Sequence, residues 1–134
     1  MKKLTLIVLS IFFSLSLFAQ EAKKDFVQVF YFHRTERCAT CNAIEDGVTS
    51  VLNSSYKKDL QKGNIIFSSI NYEEDTNSAI IKSYEIENPT LLIIYNKKDK
   101  KEFIDLTDDA FSYARTNPSK FKKIFKSKIN DFFR

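Results

Sequence analysis

His33-Arg34-Thr35-Glu36-Arg37-Cys38-Ala39-Thr40-Cys41 holds the only histidine and the only two cysteines of the 134-residue chain. An apolar run, Phe26 to Phe32, leads into it, and a stretch of helical periodicity, Cys41 to Leu60, leads out of it. The first run is rich in β-branched and aromatic residues and barely alternates, which predicts a central strand covered on both faces. In the second, Cys41, Ile44, Val48, Val51, Leu52 and Leu60 fall at steps of three or four, or multiples of them, so a single helix is expected, with Gly63 as its stop. Gly47 weakens that helix by about 1 kcal/mol relative to Ala. Two thiols separated by two residues at a strand-to-helix junction make redox chemistry the first hypothesis.

Further along, Ile65 to Ile70 reads as a second strand, followed by a polar turn from Asn71 to Asn77. In that turn Glu73, Glu74 and Asp75 read as solvated charges. Ser78 to Tyr84 is a short helix with Ile80, Ile81 and Tyr84 on its apolar side, and Thr90 to Tyr95 is a third strand. The polar turn Asn96 to Lys100 makes the fourth strand, Lys101 to Leu106, antiparallel to the third, and its alternation places it at an edge. Asp108 to Thr116 reads as an irregular link with room for one helical turn. Asn117-Pro118 starts a last helix, with Asn as cap and Pro in the first turn. Phe121, Ile124, Phe125, Ile129 and Phe132 form its buried side, and Lys120, Lys122, Lys123, Lys126 and Lys128 form a solvated one. The expected order is β-α-β-α-β-β-α, an α/β fold whose first β-α-β is a right-handed parallel unit.

Length allows one domain with a real core. Two glycines, two prolines and 14% aromatic residues argue against a disordered chain or a loop-rich disulfide scaffold. The N-terminus reads as a signal peptide: Lys2-Lys3, then apolar Leu4 to Phe18, then Ala19 before a cut at Gln20. The apolar stretch is shorter than the roughly 20 residues of a membrane span, although an uncleaved anchor is the alternative. The expected division is residues 1–19 as signal and 20–134 as domain. The mature chain is then periplasmic or secreted, without stable membrane insertion. Loss of Lys2 and Lys3 takes the formal charge from +4 to +2. That small excess, spread among many acids, gives no reason to expect a nucleic-acid partner. Export also places both cysteines where a disulfide persists.

The chain resembles the thioredoxin-like family. Cys38-Ala39-Thr40-Cys41 lies where that family keeps its C-x-x-C, and Tyr84-Glu85-Ile86-Glu87-Asn88-Pro89-Thr90-Leu91-Leu92 matches the stretch leading to its active-site cis-proline. The match covers about residues 26 to 133 and implies a four-stranded mixed sheet with helices on both faces. It implies Cys38 as the exposed nucleophile, Cys41 as the resolver, and Pro89 with Asn88 lining a substrate groove. The family's buried acid has no counterpart, because Phe32 takes its place. Tyr31-Phe32-His33-Arg34 and Arg37-Cys38-Ala39-Thr40-Cys41 look closer to exported thioredoxin-like proteins that carry the name of nitrophenyl-compound nitroreductase subunits. The chain has no flavin or nicotinamide fingerprint, and no cofactor is expected.

The helix N-terminus, with Arg37, His33 and Arg34 nearby, is expected to favour the Cys38 thiolate and so a more oxidising disulfide. Expected partners are protein or small-molecule thiols and disulfides, and a redox partner protein. Other readings stay open. Cys38–Cys41 can be a structural clip in a binding module or accessory subunit. His33 can be a packed strand-end residue, Arg34 and Arg37 solvated charges, and Pro89 trans. No metal is expected, because His33, Cys38 and Cys41 give three ligands where a structural site needs four.

Overall fold

A computed structural model describes residues 24–98 and 100–134; the signal-peptide reading of residues 1–19 lies outside them. The described elements are β1 (Phe26–His33), α1 (Ala39–Ser55), α2 (Lys57–Gln61), β2 (Ile65–Asn71), a 3-10 turn (Asp75–Asn77) and α3 (Ser78–Ser83). They continue with β3 (Thr90–Lys97), β4 (Lys100–Asp105), α4 (Thr107–Tyr113) and α5 (Pro118–Phe132). The strands form one mixed sheet in the order β2-β1-β3-β4. β1 is central, parallel to β2 and antiparallel to β3, and β4 closes a hairpin on β3. This mixed four-stranded α/β arrangement is consistent with the thioredoxin-like order that the sequence predicts.

Alternation along β1 sorts the core into two layers. Val27, Val29 and Tyr31 face a large cluster with Ile44, Val48 and Leu52 of α1, Ala110 of α4, and Phe121, Phe125 and Ile129 of α5. Phe30 and Phe32 face a smaller one, where Ile80 and Ile81 of α3 and Tyr84 pack against Ile94. Helices therefore lie on both faces, but unequally.

Two expectations are corrected. The single helix Cys41–Leu60 is two, because the chain leaves the helical conformation at Tyr56 (φ −129°, ψ 23°). Asn53-Ser54-Ser55 are poor helix-interior residues. The Tyr56 ring is buried and its hydroxyl bonds the Asn130 side chain on α5, which turns the backbone out of line. The expected irregular link after Asp108 contains α4, whose Ala110 and Ala114 are small enough to sit fully buried under the sheet.

Gly47 also has a different meaning. A Cβ there would lie 2.7 Å from Cε1 of buried Phe121. The missing side chain lets α5 pack closely against α1, so the glycine serves the helix contact even though it weakens the helix.

Candidate functional site

The site grows from the end of β1. His33 is its last residue, and four residues later Cys38 becomes the N-cap of α1. Cys38 has extended backbone (φ −76°, ψ 165°), and its Sγ accepts a hydrogen bond from the Cys41 N–H at 3.1 Å. Helix geometry returns Cys41 to the same side one turn later, with the two Cα atoms 5.0 Å apart, and the two sulfurs form a disulfide. Cys38 is exposed, whereas Cys41 is only 7% exposed. One sulfur therefore faces solvent and the other faces the core. Exchange chemistry in a C-x-x-C pair uses that asymmetry, and the unpaired N–H groups of a helix N-terminus favour a thiolate there.

Tyr31 fixes the buried side. Its hydroxyl donates to the Cys41 carbonyl at 3.1 Å. Burial pushes its phenol up to about 12, a rise that the positive charge of Arg37 partly opposes. The phenol stays protonated and keeps the first turn of α1 tied to the central strand.

Arg37 and Arg34 are both held by neighbouring side chains. Arg37 donates to the Glu45 carboxylate, one turn beyond Cys41 on α1, and to Ser69 Oγ of β2 at 3.2 Å. Arg34 donates to the Tyr72 hydroxyl at 2.6 Å, which with Glu73 nearby raises the pKa of its guanidinium further. His33 Nδ1 lies 2.8 Å from the Arg34 carbonyl and 3.2 Å from Arg37 Nε. A carbonyl has no proton to give, so the shorter contact places the hydrogen on Nδ1, and that nitrogen then cannot accept from Arg37. His33 is 9% exposed, as a packed strand-end residue would be.

The rest of the loop is pinned to the turn after β2. Glu73 accepts the Thr35 N–H at 2.9 Å, and Asn71 donates to Thr35 Oγ1 at 2.9 Å. The Thr35 bonds hold the Glu73 carboxyl below its usual range. Glu73 is solvated, as the sequence predicts, and it also ties the loop to the turn. A shallow recess of about 420 Å³ lies beside this contact, lined by Arg34, Thr35, Glu36 and Glu73.

Pro89 opens β3 at the same end of the sheet, since Thr90 pairs with Phe32 just before His33. The Asn88–Pro89 bond is trans, and the Asn88 carbonyl accepts from Thr90 Oγ1 at 2.8 Å. Phe32 is fully buried on the thin side of the sheet. Among the described residues no group of three His, Cys, Asp or Glu side chains is placed to hold a metal ion, and no helix is long and apolar enough to cross a membrane.

The sequence reading found both cysteines and missed the residues that brace them: Tyr31, Glu45, Ser69, Asn71 and Glu73. Only Glu45 had a usable signal, its i+4 spacing from Cys41 on a helix that begins beside Arg37. The others meet the loop through sheet pairing, which local spacing does not encode. No family model and no curated protein matches the chain.

Proposed function

We propose that the protein is an exported thiol–disulfide oxidoreductase. The observation that supports this most directly is the disulfide itself, with exposed Cys38 capping α1 and buried Cys41 one turn inside. In the oxidising direction a substrate thiolate attacks Cys38 Sγ. The Cys38–Cys41 bond breaks, and Cys41 leaves as a thiolate and takes up a proton. A second substrate thiolate then attacks the mixed disulfide, so the substrate leaves oxidised and Cys38 leaves reduced. The reducing direction runs the same steps backwards. Asn88 and Pro89, at the same sheet end, form one wall of the groove that receives the substrate backbone, and a redox partner protein resets the pair. The helix N-terminus tunes the Cys38 thiolate, and Arg37, His33 and Arg34 brace its loop. Cleavage after Ala19 delivers residues 20–134 to the periplasm or the medium.

Removing one sulfur at a time tests the assignment. Cys41→Ser leaves Cys38 without its resolver, so the Cys38 thiolate attacks a model disulfide peptide, one peptide sulfur leaves as a thiol, and the mixed disulfide with the other accumulates and is seen by mass. Cys38→Ser abolishes exchange. Equal exchange by Cys38→Ser and the parent would refute the assignment.

A second reading has its own support. The loop before Cys38 is tied down at Thr35 and Arg37, which suits a static clip in a binding module or accessory subunit. A disulfide that resists reduction by glutathione, below about −300 mV, would decide for it.

A further inference from the structure

The sheet ends in two edges, and they are built differently. β4 carries Lys100, Lys101, Glu102 and Asp105. Charges of this kind blunt an edge against a second strand. β2, Ile65-Ile66-Phe67-Ser68-Ser69-Ile70-Asn71, carries no charge and no proline, and its register with β1 runs unbroken from Ile65 to Asn71. Ile66 is 41% exposed on it.

The register also says which backbone groups are free. The Val27 N–H donates to the Asn64 carbonyl, and the Tyr72 N–H donates to the His33 carbonyl. Parallel pairing alternates, so Asn64, Ile66, Ser68, Ile70 and Tyr72 turn their polar backbone groups toward β1. Ile65, Phe67 and Ser69 turn theirs outward, and among the described residues none of these N–H or C=O groups has a backbone partner outside the β1–β2 ladder.

We propose that β2 is a docking edge for the β2 strand of a second copy of this chain, paired antiparallel about a two-fold axis at Ser68. In that register Phe67 of each copy faces Ser69 of the other, and the outward N–H and C=O groups of both are satisfied. Ser68 then faces Ser68, and Ile66 faces Ile70 of the other copy in non-hydrogen-bonded pairs, where side chains approach most closely. Shifting the register by two residues in either direction takes the Ile66–Ile70 pairs apart. An uncharged strand that presents apolar residues symmetrically about its centre complements itself better than a charged partner.

The chain's own preceding residues are the other occupant to consider. Lys24 sits beside the start of β2, with Nζ 3.3 Å from the Lys62 carbonyl. In the mature chain proposed above, the residues before it, Gln20-Glu21-Ala22-Lys23, include two charges and no β-branched or aromatic side chain, a poor match to this edge. A single seven-residue strand pair falls at the small end of specific interfaces, so the dimer is weak and concentration-dependent.

Sedimentation equilibrium of the purified protein from about 10 µM to about 1 mM, a range suited to weak interfaces, tests this. The mean mass climbs from one chain toward two. Ile66→Lys puts a charge on the edge at an exposed position and holds the mass at one chain. Ser69→Pro does the same, since its outward N–H takes no part in the β1 ladder. Phe103→Lys, on the other edge, leaves the climb intact, and circular dichroism confirms that each variant is folded. One-chain mass at 1 mM would overturn the proposal, as would a dimer that survives Ile66→Lys or is lost in Phe103→Lys. A monomer in which the Phe67 and Ser69 amides resist hydrogen exchange would assign the edge to the chain's own N-terminal residues instead.

Discussion

Tyr31 and Phe32 are neighbours on one strand, both fully buried, yet they stand in unlike surroundings. Tyr31 enters a layer built from α1, α4 and α5, while Phe32 enters one covered by six-residue α3. The cysteines sit at the start of α1, which packs into the first layer through Ile44, Val48 and Leu52, and the Pro89 loop leads out of Ile86 of the second. In exchange chemistry one sulfur must keep its place while bonds to it are made and broken. In the exchange we propose, the thick layer packed against α1 supplies that fixity, and the thin layer gives the Pro89 loop more freedom to adapt.

The largest expected effect separates the two layers. Phe125→Ala, fully buried in the thick layer, costs about 3–5 kcal/mol of stability in urea unfolding. Ile81→Ala, half-buried on the sheet-facing side of α3, costs about 1 kcal/mol. Equal losses would break the comparison. Next comes Gly47→Ala. The new methyl must displace the Phe121 ring, and overpacking of this kind costs about 1–3 kcal/mol, partly offset by about 1 kcal/mol of helix propensity. A net gain in midpoint would mean that the α1–α5 contact is looser than its geometry.

Alkali probes the same layer. Burial raises both Tyr31 and Tyr95 to about 12, with nearby Asp131 and Glu102 adding to the rise at Tyr95. Below pH 10 folded and unfolded chains both keep these protons, so stability does not vary with pH through them. Between pH 10 and 12 only the unfolded chain releases them, so stability falls as pH rises. Tyr31→Phe and Tyr95→Phe each flatten that slope in urea midpoints measured against pH. The smallest effect sharpens the role of Arg37. Because its guanidinium is bound by Glu45, Arg37→Ala removes about 1 kcal/mol of stability and shifts the reduction potential by about 10 mV or less. A shift of about 60 mV, a hundredfold in the exchange equilibrium, would make Arg37 a tuner of the thiolate.

The sequence carried the fold because the decisive signals were local. Unalternating Phe26–Phe32, the spacing from Cys41, and Asn117-Pro118 each act within a few residues; the first and last placed their elements, and the second found a helix but not its break at Tyr56. What it concealed depends on contacts distant in the chain. Tyr56 ends α1 by reaching α5, Gly47 makes room for Phe121, and Ala110 and Ala114 form a helix whose apolar side is too narrow to read. At the site, the sulfurs were legible from spacing alone. Their bracing was not, because Arg37 meets Ser69, and Thr35 meets Glu73, only after β2 has paired beside β1.

The reduction potential of Cys38–Cys41 tests the central claim most directly. The protein would be equilibrated in glutathione buffers, its free thiols alkylated and the products counted by mass. The exchange reading predicts a value between about −270 and −120 mV, with the position in that range giving the direction of exchange. A value well below about −300 mV would contradict it and make the disulfide a structural clip.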